Sequence, residues 1–253
     1  MAFEEVSFAS SDGTPLKGWF VPSPAGSDVT LVVCHGRGAC RSDVLPYTHH
    51  LASRGGYNLF YFDFRNHGES GGEKTSLGRL ESLDLEAALD WVKKEKPAAA
   101  RRVGLYGVSM GAAVAILAAA RRPEFEAVAA ESAFTSVYRS IRRYGFLFYK
   151  LPGWTMRYTY WCIRFRLGFD PEKWSPERVV DRISPRPLFL LQGGSDRRVP
   201  PTEGDRLFSL AGEPKSLWTV PDGDHAGLWK AAGREYEDRL LAFFDGVFKT
   251  PVS

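Results

Sequence analysis

Cysteine is scarce in this chain of 253 residues: there are three, Cys34, Cys40 and Cys162. An odd number without metal-ligand or redox spacing argues against a disulfide framework and favours a reducing, cytoplasmic setting. Long uncharged apolar runs are missing, so no transmembrane span is expected. The opening Met1-Ala2-Phe3-Glu4-Glu5 carries acids and no apolar run follows, which argues against a signal peptide. An excess of one charge is missing too. Thirty-three lysines and arginines face 30 aspartates and glutamates, a net charge of +3. That lacks the clustered basicity of a nucleic-acid-binding chain, and no DNA- or RNA-binding motif is present.

What is present is apolar and ordered. Hydrophobic residues make up 44% of the chain and aromatics 13%, enough for one large core or two small ones, with a single α/β domain the simpler reading. Glu5 to Ala9 and Leu16 to Val21 flank the turn Ser11-Asp12-Gly13-Thr14-Pro15 and predict an antiparallel hairpin. Six further runs, starting at Thr30, Leu59, Arg102, Ala127, Leu188 and Lys215, are mostly continuous and apolar, as strands buried on both faces are. Helical patterns separate most of them. Leu85, Ala88, Leu89 and Val92 share one face of a helix closed by Pro97, and Leu228 to Phe248 carries Tyr236, Leu240, Phe243 and Phe244 on one side. The alternation predicts an α/β fold: an eight-stranded, mostly parallel sheet with helices on both faces.

Residues 137–176 break that rhythm and divide the chain into a core's first part (1–136), a helical insertion and a second part (177–253). Two helices are expected to meet at Pro152-Gly153. One carries Val137, Ile141, Tyr144 and Phe148 at helical spacing, the other Trp154, Tyr158, Trp161 and Phe165. Both stripes are expected to be buried. Because the insertion falls between the sixth and seventh strands, a cap over the site is preferred to a plain packed helix pair. Tyr144, Phe148, Trp154 and Trp161 are then candidate substrate contacts. Seven interleaved cations exclude a membrane span, and a basic amphipathic patch touching a membrane surface is the lesser alternative.

The chemistry centres on Gly107-Val108-Ser109-Met110-Gly111. It follows the apolar run Arg102 to Tyr106 and precedes a helix-forming run of alanines and aliphatics, which is the strand, Gly-x-Ser-x-Gly, helix pattern of a nucleophile elbow. A serine hydroxyl is a weak nucleophile and needs a base, and the base needs an orienting acid. His225, in a polar glycine-containing loop between the eighth strand and the final helix, is the candidate base. Asp196, just after the seventh strand, is the candidate acid, with Glu131 as fallback. The loop Cys34-His35-Gly36-Arg37-Gly38 supplies an oxyanion site, with the Arg37 and Met110 backbone N–H groups as donors. His35 is a further candidate substrate contact.

These motifs, with Asp63-Phe64-Arg65-x-His67-Gly68-x-Ser70-Gly71, Gly194-x-Asp196-x-x-Val199-Pro200 and Gly223-x-His225, resemble those of the α/β-hydrolase superfamily. The order Ser, Asp, His along the chain is the one that superfamily uses. The resemblance implies that Asp63 and His67 form a structural turn outside the triad. It also points to small acyl hydrolases: carboxylesterases, monoglyceride-lipase-like enzymes and serine-aminopeptidase-type proteins. The expected activity is hydrolysis of a small acyl ester through a covalent acyl-enzyme, with no metal and no organic cofactor. Amide, peptide or thioester cleavage on the same residues is the first alternative, since fold and triad fix the nucleophile and not the leaving group. A non-catalytic binding or scaffolding role is the alternative of another class.

Overall fold

The computed structural model describes residues 2–249. Eight strands form one sheet: β1 (Glu4–Ala9), β2 (Pro15–Val21), β3 (Val29–Cys34), β4 (Asn58–Phe62), β5 (Arg102–Val108), β6 (Phe125–Glu131), β7 (Leu188–Gly193) and β8 (Lys215–Val220). Their spatial order is β1-β2-β4-β3-β5-β6-β7-β8. β1 and β2 form the expected hairpin, and β2 runs antiparallel to β4. From β4 onward every neighbouring pair is parallel.

Side chains on a strand alternate between faces, and here each alternate set feeds its own core. Val32, Leu105 and Leu190 join one core, while Leu31, Val33, Tyr106 and Leu191 join the other. A short α1 (Arg41–Thr48) and α2 (His50–Ser53) cover the second face. The first is covered by α3 (Arg79–Glu95) and α4 (Met110–Ala119). The α3 stripe Leu85, Ala88, Leu89 and Val92 is buried as its spacing predicts.

The insertion between β6 and β7 holds α5 (Val137–Tyr149) and α6 (Thr155–Leu167), followed by three short 3-10 turns that end at Ile183. Ser136 starts α5 by accepting the Arg139 N–H, and its hydroxyl donates to Glu172 at 2.8 Å. The other Glu172 oxygen accepts the Tyr138 N–H at 2.9 Å, so the first turn of α5 is tied to the end of the insertion. α7 (Pro201–Leu210) follows β7, and α8 (Leu228–Ala232) and α9 (Arg234–Phe248) close the chain. The single closing helix expected from Leu228 is two, because Gly233 at φ +54° interrupts it. Tyr236, Leu240 and Phe244 of α9 pack on the sheet, whereas Phe243 is only half-buried.

The insertion departs from expectation on both helices: of the α5 stripe Val137 is buried, but Ile141 and Tyr144 are half-buried and Phe148 is exposed. The α6 stripe Trp154, Tyr158, Trp161 and Phe165 is exposed, Phe165 at 82%. The side of α6 turned inward carries Met156, Thr159, Ile163 and Leu167 instead. Both stripes share the same spacing. Charge distinguishes them: arginines flank the aromatic one, so turning it inward would bury guanidinium groups without partners.

Candidate active site

The turn from β5 to α4 is as sharp as Gly-x-Ser-x-Gly requires. Ser109 has φ 55° and ψ −114°, a conformation costly for a non-glycine residue. Glycines make it possible. A Cβ on Gly107 would lie 2.4 Å from the Gly111 carbonyl oxygen, and one on Gly111 would lie 2.4 Å from that of Cys34. Strand, turn and neighbouring loop thus approach to distances that only hydrogen-sized side chains allow. The Ser109 N–H donates to the Glu131 carbonyl at 2.8 Å, fixing the turn against β6.

Ser109 Oγ lies 2.9 Å from His225 Nε2, and His225 Nδ1 lies 2.7 Å from Asp196 Oδ2. The other Asp196 oxygen, Oδ1, accepts the N–H groups of Arg198 and Val199, each at 2.8 Å. The carboxylate is therefore held from both sides and its side chain is fully buried. The bonds require a definite tautomer: Nδ1–H donates to Asp196, which leaves the Nε2 lone pair for the serine hydroxyl. These three residues stand at the carboxyl ends of β5, β7 and β8, where an open α/β sheet places its site.

Glu131, the other carboxylate considered, serves elsewhere. It is wholly buried, and its Oε2 accepts the Tyr106 hydroxyl at 2.8 Å and the Tyr236 hydroxyl at 2.6 Å. Burial pushes its carboxyl up, against the pull of those two donors. The group joins β5, β6 and α9 beneath the elbow.

Arg37, Ser109 and Met110 line one narrow cavity of about 40 Å³. Met110 opens α4, where the helix itself provides no acceptor for the N–H. The Arg37 N–H meets no protein acceptor among the described residues. The narrow cavity shares Arg37, Leu77, Ile141 and Tyr144 with a chamber of about 390 Å³ under α5 and α6. Tyr144 and Phe148 line the chamber, as the sequence suggested. Trp154 and Trp161 do not: they face away from it on α6.

His35 is also placed elsewhere than expected. Its ring is fully buried, with Nδ1 2.7 Å from the Gly36 carbonyl and Nε2 accepting the Phe64 N–H at 3.0 Å. Burial lowers its pKa to about 4, and a proton on Nε2 would also face the Phe64 N–H. It holds the loop that carries Arg37 and touches no cavity at Ser109. Asp63 and His67 form the expected turn. Asp63 accepts the Arg41 and Glu69 N–H groups, and His67 Nδ1 lies 2.8 Å from the Arg65 carbonyl.

The sequence reading missed Leu77, Met156, Thr159, Ile163 and Leu167 as chamber residues. For the α6 members the signal was a charge-free stripe opposite the aromatic one. Leu77 sits in a loop that carries no periodicity. Among the described residues, no three His, Cys, Asp or Glu side chains gather as a metal site would require.

A doubly wound sheet whose strained serine faces a histidine backed by an aspartate defines a serine hydrolase of the α/β-hydrolase superfamily. Within it, the chain belongs to the X-Pro dipeptidyl-peptidase (S15) family, whose profile matches residues 23–179. YfhR of Escherichia coli K12, itself uncharacterised, is 31% identical over 248 residues, covering 95% of this chain and 80% of the relative. YqkD of Bacillus subtilis, also uncharacterised, is 28% identical over 249 residues, covering 96% and 80%. Among solved structures, the esterase Pf2001 of Pyrococcus furiosus superposes with a TM-score of 0.82 at 28% identity, covering 98% of this chain and 93% of that one. Acetyl xylan esterase 1 from Thermoanaerobacterium shares the fold, with a TM-score of 0.74 at 18% identity, covering 97% and 83%.

Proposed function

We propose that the protein hydrolyses esters of apolar acyl groups, with Ser109 as nucleophile, His225 as general base and then acid, and Asp196 as the carboxylate that orients the imidazole. The observation that carries this reading is the unbroken hydrogen-bonded line from Ser109 Oγ through His225 to buried Asp196, at the mouth of an apolar chamber.

Ser109 Oγ attacks the ester carbonyl carbon as its proton passes to His225 Nε2. The oxyanion that forms accepts from the Arg37 and Met110 N–H groups, the latter at the positive end of α4. When the tetrahedral intermediate collapses, His225 returns the proton to the departing alkoxide and leaves an acyl group on Ser109. Water then attacks the acyl-enzyme with His225 as base, and the acid leaves. The acyl chain passes the Leu77, Ile141 and Tyr144 constriction into the chamber.

A second reading, cleavage of a dipeptide from an amino terminus, is favoured by the family's description. Such a substrate brings a cationic amine, which calls for a carboxylate. Among the described residues, neither the constriction nor the chamber has an acidic residue in its lining, and Arg37 is the single charged residue there. An electropositive apolar pocket suits an acyl chain better.

The test is a panel of p-nitrophenyl esters of increasing acyl length beside X-Pro and aminoacyl p-nitroanilides. We expect ester turnover with kcat/KM rising from acetyl to longer linear acyl groups. Faster cleavage of the X-Pro anilide than of any ester would replace this reading with the peptidase one.

A further inference from the structure

The geometry points to the outer face of the α5–α6 insertion as a docking surface for an anionic phospholipid membrane. Most of the large apolar side chains exposed on this protein lie between Phe146 and Phe165, on one projection of the fold. A solvated surface rarely gathers so many rings without a partner for them.

Charge identifies the partner. From Val137 to Phe169 there are seven lysines and arginines and no aspartate or glutamate. Arg139 is paired with Glu177, and Arg164 lies 3.8 Å from Asp170. Arg142, Arg143, Lys150, Arg157 and Arg166 have no carboxylate partner among the described residues. A second copy of this chain would set cation against cation, so self-association through this face is disfavoured.

The arrangement on α6 is interfacial. At 3.6 residues per turn, Trp154, Tyr158, Trp161 and Phe165 fall within an arc of about 60°. Arg157 and Arg164 flank it on one side and Arg166 on the other. Rings between flanking arginines suit a helix lying in the headgroup layer, with the rings toward the acyl boundary and the guanidinium groups on lipid phosphates. Phe148, Tyr149 and Leu151 are exposed beside this face and also line the chamber, so the chamber opens next to the docked surface. Docking does not depend on the acyl-ester reading, because none of the α6 rings and arginines named lines the cavities at Ser109.

The test is co-sedimentation of the full chain with vesicles of phosphatidylcholine alone and of phosphatidylcholine mixed with phosphatidylglycerol. At low salt we expect at least about tenfold more protein bound to the anionic vesicles, and release as salt shortens the screening length. Two variants, Trp161→Ser/Phe165→Ser and Arg157→Glu/Arg164→Glu, should each cut binding roughly tenfold or more while turning over a soluble ester as the parent does. Ser109→Ala should bind as the parent does. Three results would overturn the proposal: parent protein left in the supernatant at low salt, both variants binding undiminished, or light scattering showing a dimer that the ring variant dissociates.

Discussion

At the scale of single residues, the proposed reaction rests on which nitrogen of His225 holds the proton. Asp196 accepts from Nδ1–H with one oxygen and from two backbone amides with the other. Asp196→Asn keeps the shape, but its amide nitrogen turned to His225 would force the proton onto Nε2, where it cannot receive one from serine. We expect kcat to fall about 10³- to 10⁴-fold with thermal stability little changed, measured by ester turnover beside a melting curve. Ser109→Ala should lose at least as much. These three residues were legible in the sequence because the chemistry restricts residue type and the strand ends restrict place. His35 was misread for a physical reason. A His-Gly pair beside the oxyanion loop looks like a substrate contact, but the unpaired Phe64 N–H, invisible in sequence, needed a buried acceptor and took the ring.

At the scale of elements, the turn and the insertion behave oppositely. The β5–α4 turn has no room: Gly111→Ala would drive a Cβ into the Cys34 and His35 carbonyls, which are backbone and cannot step aside cheaply. We expect a loss of about 1–3 kcal/mol in urea unfolding, with activity lost beyond that because Ser109 shifts. The insertion has room to be reshaped. Met156 of α6 packs under Gly145 of α5 and also lines the chamber. Met156→Trp should fill part of the chamber, lowering kcat/KM several-fold for long acyl esters while leaving acetyl esters nearly untouched. A uniform loss across chain lengths would mean the chamber does not hold the acyl group. The helices themselves were readable from their spacing, and their meeting at Pro152-Gly153 from turn chemistry. The inward face was not, because Met156, Ile163 and Leu167 repeat at the same interval as the larger rings. Ring size suggested burial, whereas the cost of burying the arginines beside those rings decided the matter.

At the scale of the whole molecule, one sheet separates two cores, and each contains or borders a histidine that the fold keeps neutral. Burial lowers both His35 and His50 to about pKa 4. His50 is buried with neither ring nitrogen hydrogen-bonded among the described residues. Between about pH 6.5 and 4 the unfolded chain binds protons that these folded rings refuse, so stability falls as pH falls through that window and levels off below it. For His35 the loss is on the order of 3 kcal/mol. Melting curves from pH 7 to 4 should show the fall, and His50→Leu should make it shallower while the His35 share remains; an unchanged slope would place the acid sensitivity elsewhere. The eight strands and the parallel run from β4 to β8 were legible because strands buried on both faces read as continuous apolar runs. The spatial order of the strands came only with the structure.

In the proposed reaction Ser109 carries the acyl group. It is tested most directly by quenching the protein with a p-nitrophenyl ester in the first turnover and reading the adduct by peptide mass spectrometry. We expect one acyl adduct, on Ser109, absent from His225→Ala. An adduct on another residue, or release of acid with no adduct while product appears in a burst, would contradict it.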